Sequence, residues 1–141
     1  MAINYLGPIV LVEDDDDDSD LFEEVFRVIN VPNVVKLFKT AKDALDFLIN
    51  TPDQPFIIIS DINLPGMNGL ELRAKIQKNE RLRRKSIPFV FLSTNADRIT
   101  VQEAYDLTVQ GFFKKPSNFQ EIHQMLKMII DYWSLCRHPN N

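Results

Sequence analysis

Four places in this chain carry side chains that could do chemistry together. Glu13 and Asp14 follow the apolar run Ile9-Val10-Leu11-Val12, and Asp61 follows Phe56-Ile57-Ile58-Ile59-Ser60. Ser93 follows Ile87-Pro88-Phe89-Val90-Phe91-Leu92, and Lys115 follows Gly111-Phe112-Phe113-Lys114. Carboxylates gathered in one place repel: two unit charges about 4 Å apart cost roughly 4 kcal/mol at an effective dielectric near 20. Such a cluster needs a cation, and an all-oxygen donor set without His or Cys favours Mg2+ over zinc or copper. A hard cation, a carboxylate, a hydroxyl and a lysine describe a phosphoryl site. The carboxylate of Asp61 can act as nucleophile and become an acyl phosphate. The cation, lysine and hydroxyl would neutralise charge on the transferring oxygens.

Each of these groups ends a short apolar run of the kind that forms strands buried in a parallel sheet. After Asp61, the residues Pro65, Gly66 and Gly69 force a loop before a helix can start. Helical stripes separate the runs. Leu21, Phe22, Val25, Phe26 and Ile29 share one face, behind Asp17, Asp18 and Ser19, which can cap that helix and suit its positive end. Asn30 and Pro32 stop it. Val34 to Phe38 read as a further strand, and Thr40 caps a helix carrying Ala41, Ala44, Leu45 and Leu48. A weakly amphipathic third helix holds Leu70, Leu72, Ala74 and Ile76. The basic stretch Lys78, Arg81, Arg83, Arg84, Lys85 after it reads as a solvated helix end and loop. Val101, Ala104, Tyr105 and Thr108 share a face of the fourth helix. Ser117 or Asn118 caps the fifth, whose inner stripe runs from Phe119 to Trp133, with Tyr132 and Trp133 closing the bottom of the core.

Five strand–helix pairs in strict alternation predict an α/β fold of three layers, a parallel five-stranded sheet with helices on both faces. Right-handed crossovers bring the carboxyl ends of the strands to one edge. The three carboxylates converge if strand 1 lies beside strand 3. The doubly wound order 2-1-3-4-5 supplies that adjacency and places its switch point between those strands.

The bulk composition narrows the function classes. A length of 141 residues suits one domain, with a core over about 8–134 and short tails, the last of about eight residues ending in His138-Pro139-Asn140-Asn141. The formal net charge of -4 argues against a nucleic-acid binder. A single cysteine, Cys136, forms no internal disulfide and fits a reducing compartment. The N-terminus lacks the basic flank of a signal peptide, and no apolar run reaches membrane-span length. A cytoplasmic protein is expected.

Taken together, Leu11-Val12-Glu13-Asp14, Asp61-Ile62-Asn63-Leu64-Pro65-Gly66-Met67-Asn68-Gly69, Ser93 and Lys115-Pro116 resemble the receiver domains of two-component response regulators. The resemblance spans essentially the whole chain and implies a flavodoxin-like, CheY-like (βα)5 fold. It implies that Asp61 accepts a phosphoryl group from a histidine kinase or phosphotransfer protein, and that Glu13, Asp14, Asp61 and the backbone carbonyl of Asn63 hold Mg2+. Ser93 matches the switch hydroxyl, and Lys115 the lysine that pairs with the phosphoryl group. The Lys115–Pro116 bond is expected to be cis. Phe112 stands where many members have Tyr, so it can swing but has no hydroxyl. The output is expected at the surface of the fourth helix, fifth strand and fifth helix, toward a downstream protein or a phosphorylation-dependent dimer. A stand-alone switch without its own output domain is implied, similar to regulators that serve phytochrome-type kinases.

Two rival classes differ at named positions. A Mg2+-dependent phosphohydrolase of the haloacid-dehalogenase type needs a second acid two residues after the nucleophile, where this chain has Asn63. A binding module that has lost phosphorylation would not need Glu13, Asp14, Ser93 and Lys115 intact. Asp15 to Asp18 read as helix capping and a solvated face. Asn95 either caps the next helix or, with Asn63, leans over the phosphoryl group to orient the hydrolytic water. His123 and His138 read as surface residues.

Overall fold

The apolar runs pair as parallel strands β1 (Ile9–Val12), β2 (Val35–Phe38), β3 (Ile57–Asp61), β4 (Phe89–Ser93) and β5 (Gly111–Lys114), in the order β2-β1-β3-β4-β5. The structure, a computed structural model, describes residues 7–137. Of the expected tail, residues 138–141, His138 included, lie outside them, as do residues 1–6. Strands β1, β3 and β4 are buried at every position, which is why their sequences show no alternation. The edge strands β2 and β5 are only half covered.

The helices are α1 (Asp16–Ile29), α2 (Ala41–Asn50), α3 (Gly69–Lys78), α4 (Glu80–Lys85), α5 (Arg98–Asp106) and α6 (Phe119–Leu135). Side chains that alternate along the strands feed two cores. Val10, Val12, Ile58, Phe89 and Phe91 pack on the α2–α5 side, with Ala44, Leu48, Leu72, Ile76 and Leu82. Ile9, Leu11, Ile57, Ile59, Val90 and Leu92 pack on the α1 and α6 side, with Phe22, Val25, Phe26, Leu126 and Ile129. Each fully buried Leu, Ile or Phe contributes on the order of 1.5–3 kcal/mol, so both layers hold the sheet firmly and its carboxyl edge becomes a rigid platform. No helix among the described residues is long and apolar enough to cross a membrane.

Several local expectations are corrected. The basic stretch is not merely solvated but forms a sixth, short helix, α4. Asn79 caps it by accepting from the Leu82 N–H at 3.0 Å, and Leu82 is buried. Arg81 donates to the carbonyls of Ile49 and Thr51, and Lys85 to that of Asp53, so these cations satisfy the carboxyl end of α2 and the turn after it. The expected fourth and fifth helices are therefore α5 and α6. Helix α1 is capped by Asp15, not by Asp17, Asp18 or Ser19, through the Asp18 N–H at 2.9 Å. Helix α5 ends at Asp106, with Thr108 in the left-handed region at φ 59°, so Tyr105 and Thr108 face outward and only Ala104 of the expected face is buried. Trp133 is half-buried against the core, while Tyr132 is exposed and meets it edge-on.

Candidate functional site

Strand register assembles the strand-end groups. Val12 lies beside Ser60, so Glu13 emerges next to Asp61. Asp61 lies beside Leu92, one residue before Ser93, and Ser93 lies beside Lys114. The Lys115 N–H donates to the Ser93 carbonyl at 2.8 Å, extending the β4–β5 pairing by one residue. Glu13, Asp14, Asp61, Ser93 and Lys115 thus share the carboxyl edge of the sheet at the switch between β1 and β3.

A carboxylate oxygen from each of Glu13, Asp14 and Asp61 lies within 4.8 Å of the others. Glu13 and Asp61 are buried, and Asp14 is exposed. The ammonium of Lys115 stands against two of them, 3.2 Å from Asp61 Oδ2 and paired with Glu13 Oε1. A third carboxylate reaches it from α1: Asp18 Oδ2 is 2.8 Å away. Burial pushes the Glu13 carboxyl up, against the pull of Lys115 and of the Asp15 N–H, which lies 3.2 Å from its Oε2. Burial disfavours charge on Lys115, but Asp18, Glu13 and Asp61 together overcome it and hold the ammonium above its ordinary range. One lysine among so many acids leaves a net negative pocket of oxygens, the donor set that suits a hard divalent cation.

The loop after β3 is tied to this cluster. The Asn63 N–H donates to Asp61 Oδ1 at 3.3 Å, and the Ser60 hydroxyl donates to the Asp61 carbonyl at 2.8 Å. Gly69, the first residue of α3, lies so close that a Cβ there would stand 2.3 Å from the Asp61 carbonyl oxygen. Asn68 and Glu71 form a reciprocal capping box that fixes the start of α3.

Ser93 is fully buried, and its hydroxyl accepts from the Asn95 N–H at 3.1 Å. Asn95 is exposed and does not cap α5. Asp97 does, accepting from Thr100 N at 2.8 Å, while the Asn95 side chain accepts only from Asp97 N at 3.4 Å. Phe112 is half-buried, its ring 6.3 Å from that of Phe91. The Lys115–Pro116 bond is trans, against the expected cis; no cis peptide occurs among the described residues. The preference between the isomers before proline is only about 0.5–1 kcal/mol, and in the trans form the Lys115 ammonium already reaches Glu13, Asp18 and Asp61.

The sequence model of the family described as "Response regulator receiver domain" matches residues 9–127. The chain belongs to the response regulator receiver domains. Response regulator Rcp1 of Synechocystis sp. is 32% identical over 131 residues, covering 89% of this chain and 87% of that protein. The phosphorylated cyanobacterial phytochrome response regulator RcpA superposes with a TM-score of 0.83 at 31% identity, over 94% of this chain and 97% of that one. The Mn2+-bound form of Rcp1 gives a TM-score of 0.80 at 31% identity, over 94% and 98%. The acidic cluster of this receiver fits the divalent-metal site of the family.

The sequence carries no local sign of two contacts, one inside the site at Asp18 and one away from it at Arg73. Asp18, expected as a helix cap or part of a solvated face, instead turns toward Lys115, and a run of five aspartates carries no signal of which one does so. Asp16 also has a partner, Lys39 from the end of β2. Arg73, lying between the apolar Leu72 and Ile76, is buried over the Phe89 ring at 5.3 Å. Its Nε and Nη2 donate at 3.0 Å to the Leu107 and Thr108 carbonyls, which tethers α3 to the carboxyl end of α5. Burial pushes its guanidinium down to about 10, still charged at neutral pH.

Proposed function

We propose that this receiver is a phosphorylation-dependent switch that takes a phosphoryl group onto Asp61 from the phosphohistidine of a sensor histidine kinase or phosphotransfer protein. The supporting observation is the convergence of Asp61, Glu13, Asp14 and Lys115 in one pocket, with Asp61 Oδ2 3.2 Å from an ammonium. Asp61 attacks phosphorus, the phosphorus–imidazole nitrogen bond breaks, and the donor histidine leaves neutral after taking a proton. Lys115 pairs with a phosphoryl oxygen. Glu13, Asp14, Asp61 and the Asn63 carbonyl are the groups to hold Mg2+, which when bound would neutralise charge on the transferring oxygens.

Ser93 is the hydroxyl that turns toward the new phosphoryl group, and the space it leaves admits Phe112, whose ring already lies against the core through Phe91. The change reaches α5, β5 and α6, the surface offered to a downstream protein or to a second phosphorylated copy. Asn95 and Asn63, each two residues beyond a site residue, are placed to orient the water that ends the signal. Since the phosphorylated neighbour is a phytochrome response regulator, a phytochrome-type kinase is the first donor to try. The phosphohydrolase alternative is disfavoured because Asn63, at the second-acid position, offers Asp61 only its backbone N–H. Transfer of radiolabelled phosphate from a histidine kinase tests the reading: label should appear on the wild type and not on Asp61→Asn. Equal labelling of both would overturn it.

A further inference from the structure

We infer that Asp18 is a positioning residue for Lys115: its carboxylate competes with a phosphoryl group on Asp61 for the lysine ammonium, and so restrains both the charging of the site and the persistence of the charged form. The inference rests on the proposed roles of Asp61 and Lys115.

The carboxylates around Lys115 differ in origin. Glu13 and Asp61 end adjacent strands and belong to the oxygen cluster that suits a cation. Asp18 belongs to the first turn of α1 and lies outside that cluster; among the described residues its ion pair is with Lys115 alone, at 2.8 Å. Its backbone is pinned. The Asp18 N–H donates to the Asp15 side chain at 2.9 Å, and the next residue, Ser19, is fully buried with its hydroxyl donating to the Asp16 carbonyl. The other aspartates of the run are engaged elsewhere or open to solvent: Asp14 in the cluster, Asp15 as cap, Asp16 on Lys39.

An ammonium has three protons to give, and here three carboxylates surround it. A cation held by one oxygen each of Glu13 and Asp61 would draw on their charge and weaken their pull on Lys115, whereas Asp18, outside that cluster, keeps its full hold. An incoming phosphoryl donor is an anion, and it must draw Lys115 from Asp18 while approaching that negative charge. The same sharing weakens the lysine–phosphoryl pair afterwards.

The test uses the full chain with acetyl phosphate as donor and saturating Mg2+, followed by intact mass. Asp18→Asn is nearly isosteric and removes the charge. Its half-saturating acetyl phosphate concentration should fall about three- to fivefold, the scale of a partly exposed ion pair. Loss of the phosphoryl group should slow by a similar factor, while the maximal rate moves less. Asp18→Ser should behave like Asp18→Asn, and Asp18→Glu should return toward the wild type. Mg2+ affinity should change less than donor affinity. Wild-type donor affinity and lifetime in both neutral variants would overturn the inference while leaving the Asp61 reading intact. Failure of the wild type itself to gain a phosphoryl group would overturn both.

Discussion

Replacing Gly69 with Ala should damage the receiver more than its single methyl group suggests. The new Cβ would stand 2.3 Å from the Asp61 carbonyl oxygen, 2.9 Å from Ile62 Cα and 3.0 Å from Phe91 Cε1. Two of these are backbone atoms that cannot rotate away. Relief requires α3 and the β3–α3 loop to part by about an ångström, the scale of overpacking that costs roughly 1–3 kcal/mol. The Gly69 N–H donates to the Ile62 carbonyl at 2.9 Å, and losing that bond adds about 1 kcal/mol. A total near 3 kcal/mol, with a urea slope of about 2 kcal/mol per molar, lowers the unfolding midpoint by roughly 1.5 M. The clash falls on Asp61's own carbonyl, so charging by acetyl phosphate should slow even where the variant is fully folded. Gly66→Ala is the control: Gly66 sits at φ 72° with nothing within 4 Å of an added Cβ, so only the left-handed cost of about 1–2 kcal/mol applies and charging should persist. A Gly69→Ala midpoint within about 0.3 M of wild type would refute the close-approach reasoning.

Other perturbations separate the parts of the account. Arg73→Met should cost about 1–3 kcal/mol, because the Leu107 and Thr108 carbonyls lose a charged donor; hydrogen exchange should quicken at residues 104–110, and unchanged exchange there would contradict the tether. Combined Glu13→Ala and Asp14→Ala should abolish Mg2+ binding in calorimetry, and wild-type affinity would place the metal elsewhere. Ser93→Ala should still accept a phosphoryl group yet lose the NMR shift changes over residues 97–115; a full response would mean that the coupling runs by another route.

The strand-end groups were legible because each closes an apolar run whose length and β-branching mark a buried strand, and parallel topology gathers such ends on one edge. The observed order β2-β1-β3-β4-β5 bears out the expected 2-1-3-4-5. What escaped has physical causes. Helix α4 has six residues and one buried side chain, Leu82, too few to show a period. Asp18 reaches Lys115 across 97 residues of sequence, a pairing no local pattern can carry. Arg73 reads as polar, yet its guanidinium substitutes for solvent at the end of another helix. Asn95 and Asp97 are both good caps two residues apart, and only the backbone geometry of the loop selects Asp97.

Intact-mass spectrometry after incubation with acetyl phosphate and Mg2+, followed by peptide mapping of the borohydride-reduced protein, reads the modified residue directly. The wild type should gain the mass of one phosphoryl group, lose that gain on removing Mg2+ and carry the reduced aspartate at position 61, with no gain in Asp61→Asn. A phosphoryl group mapped to any other residue, or retained in full by Asp61→Asn, would contradict the role of Asp61.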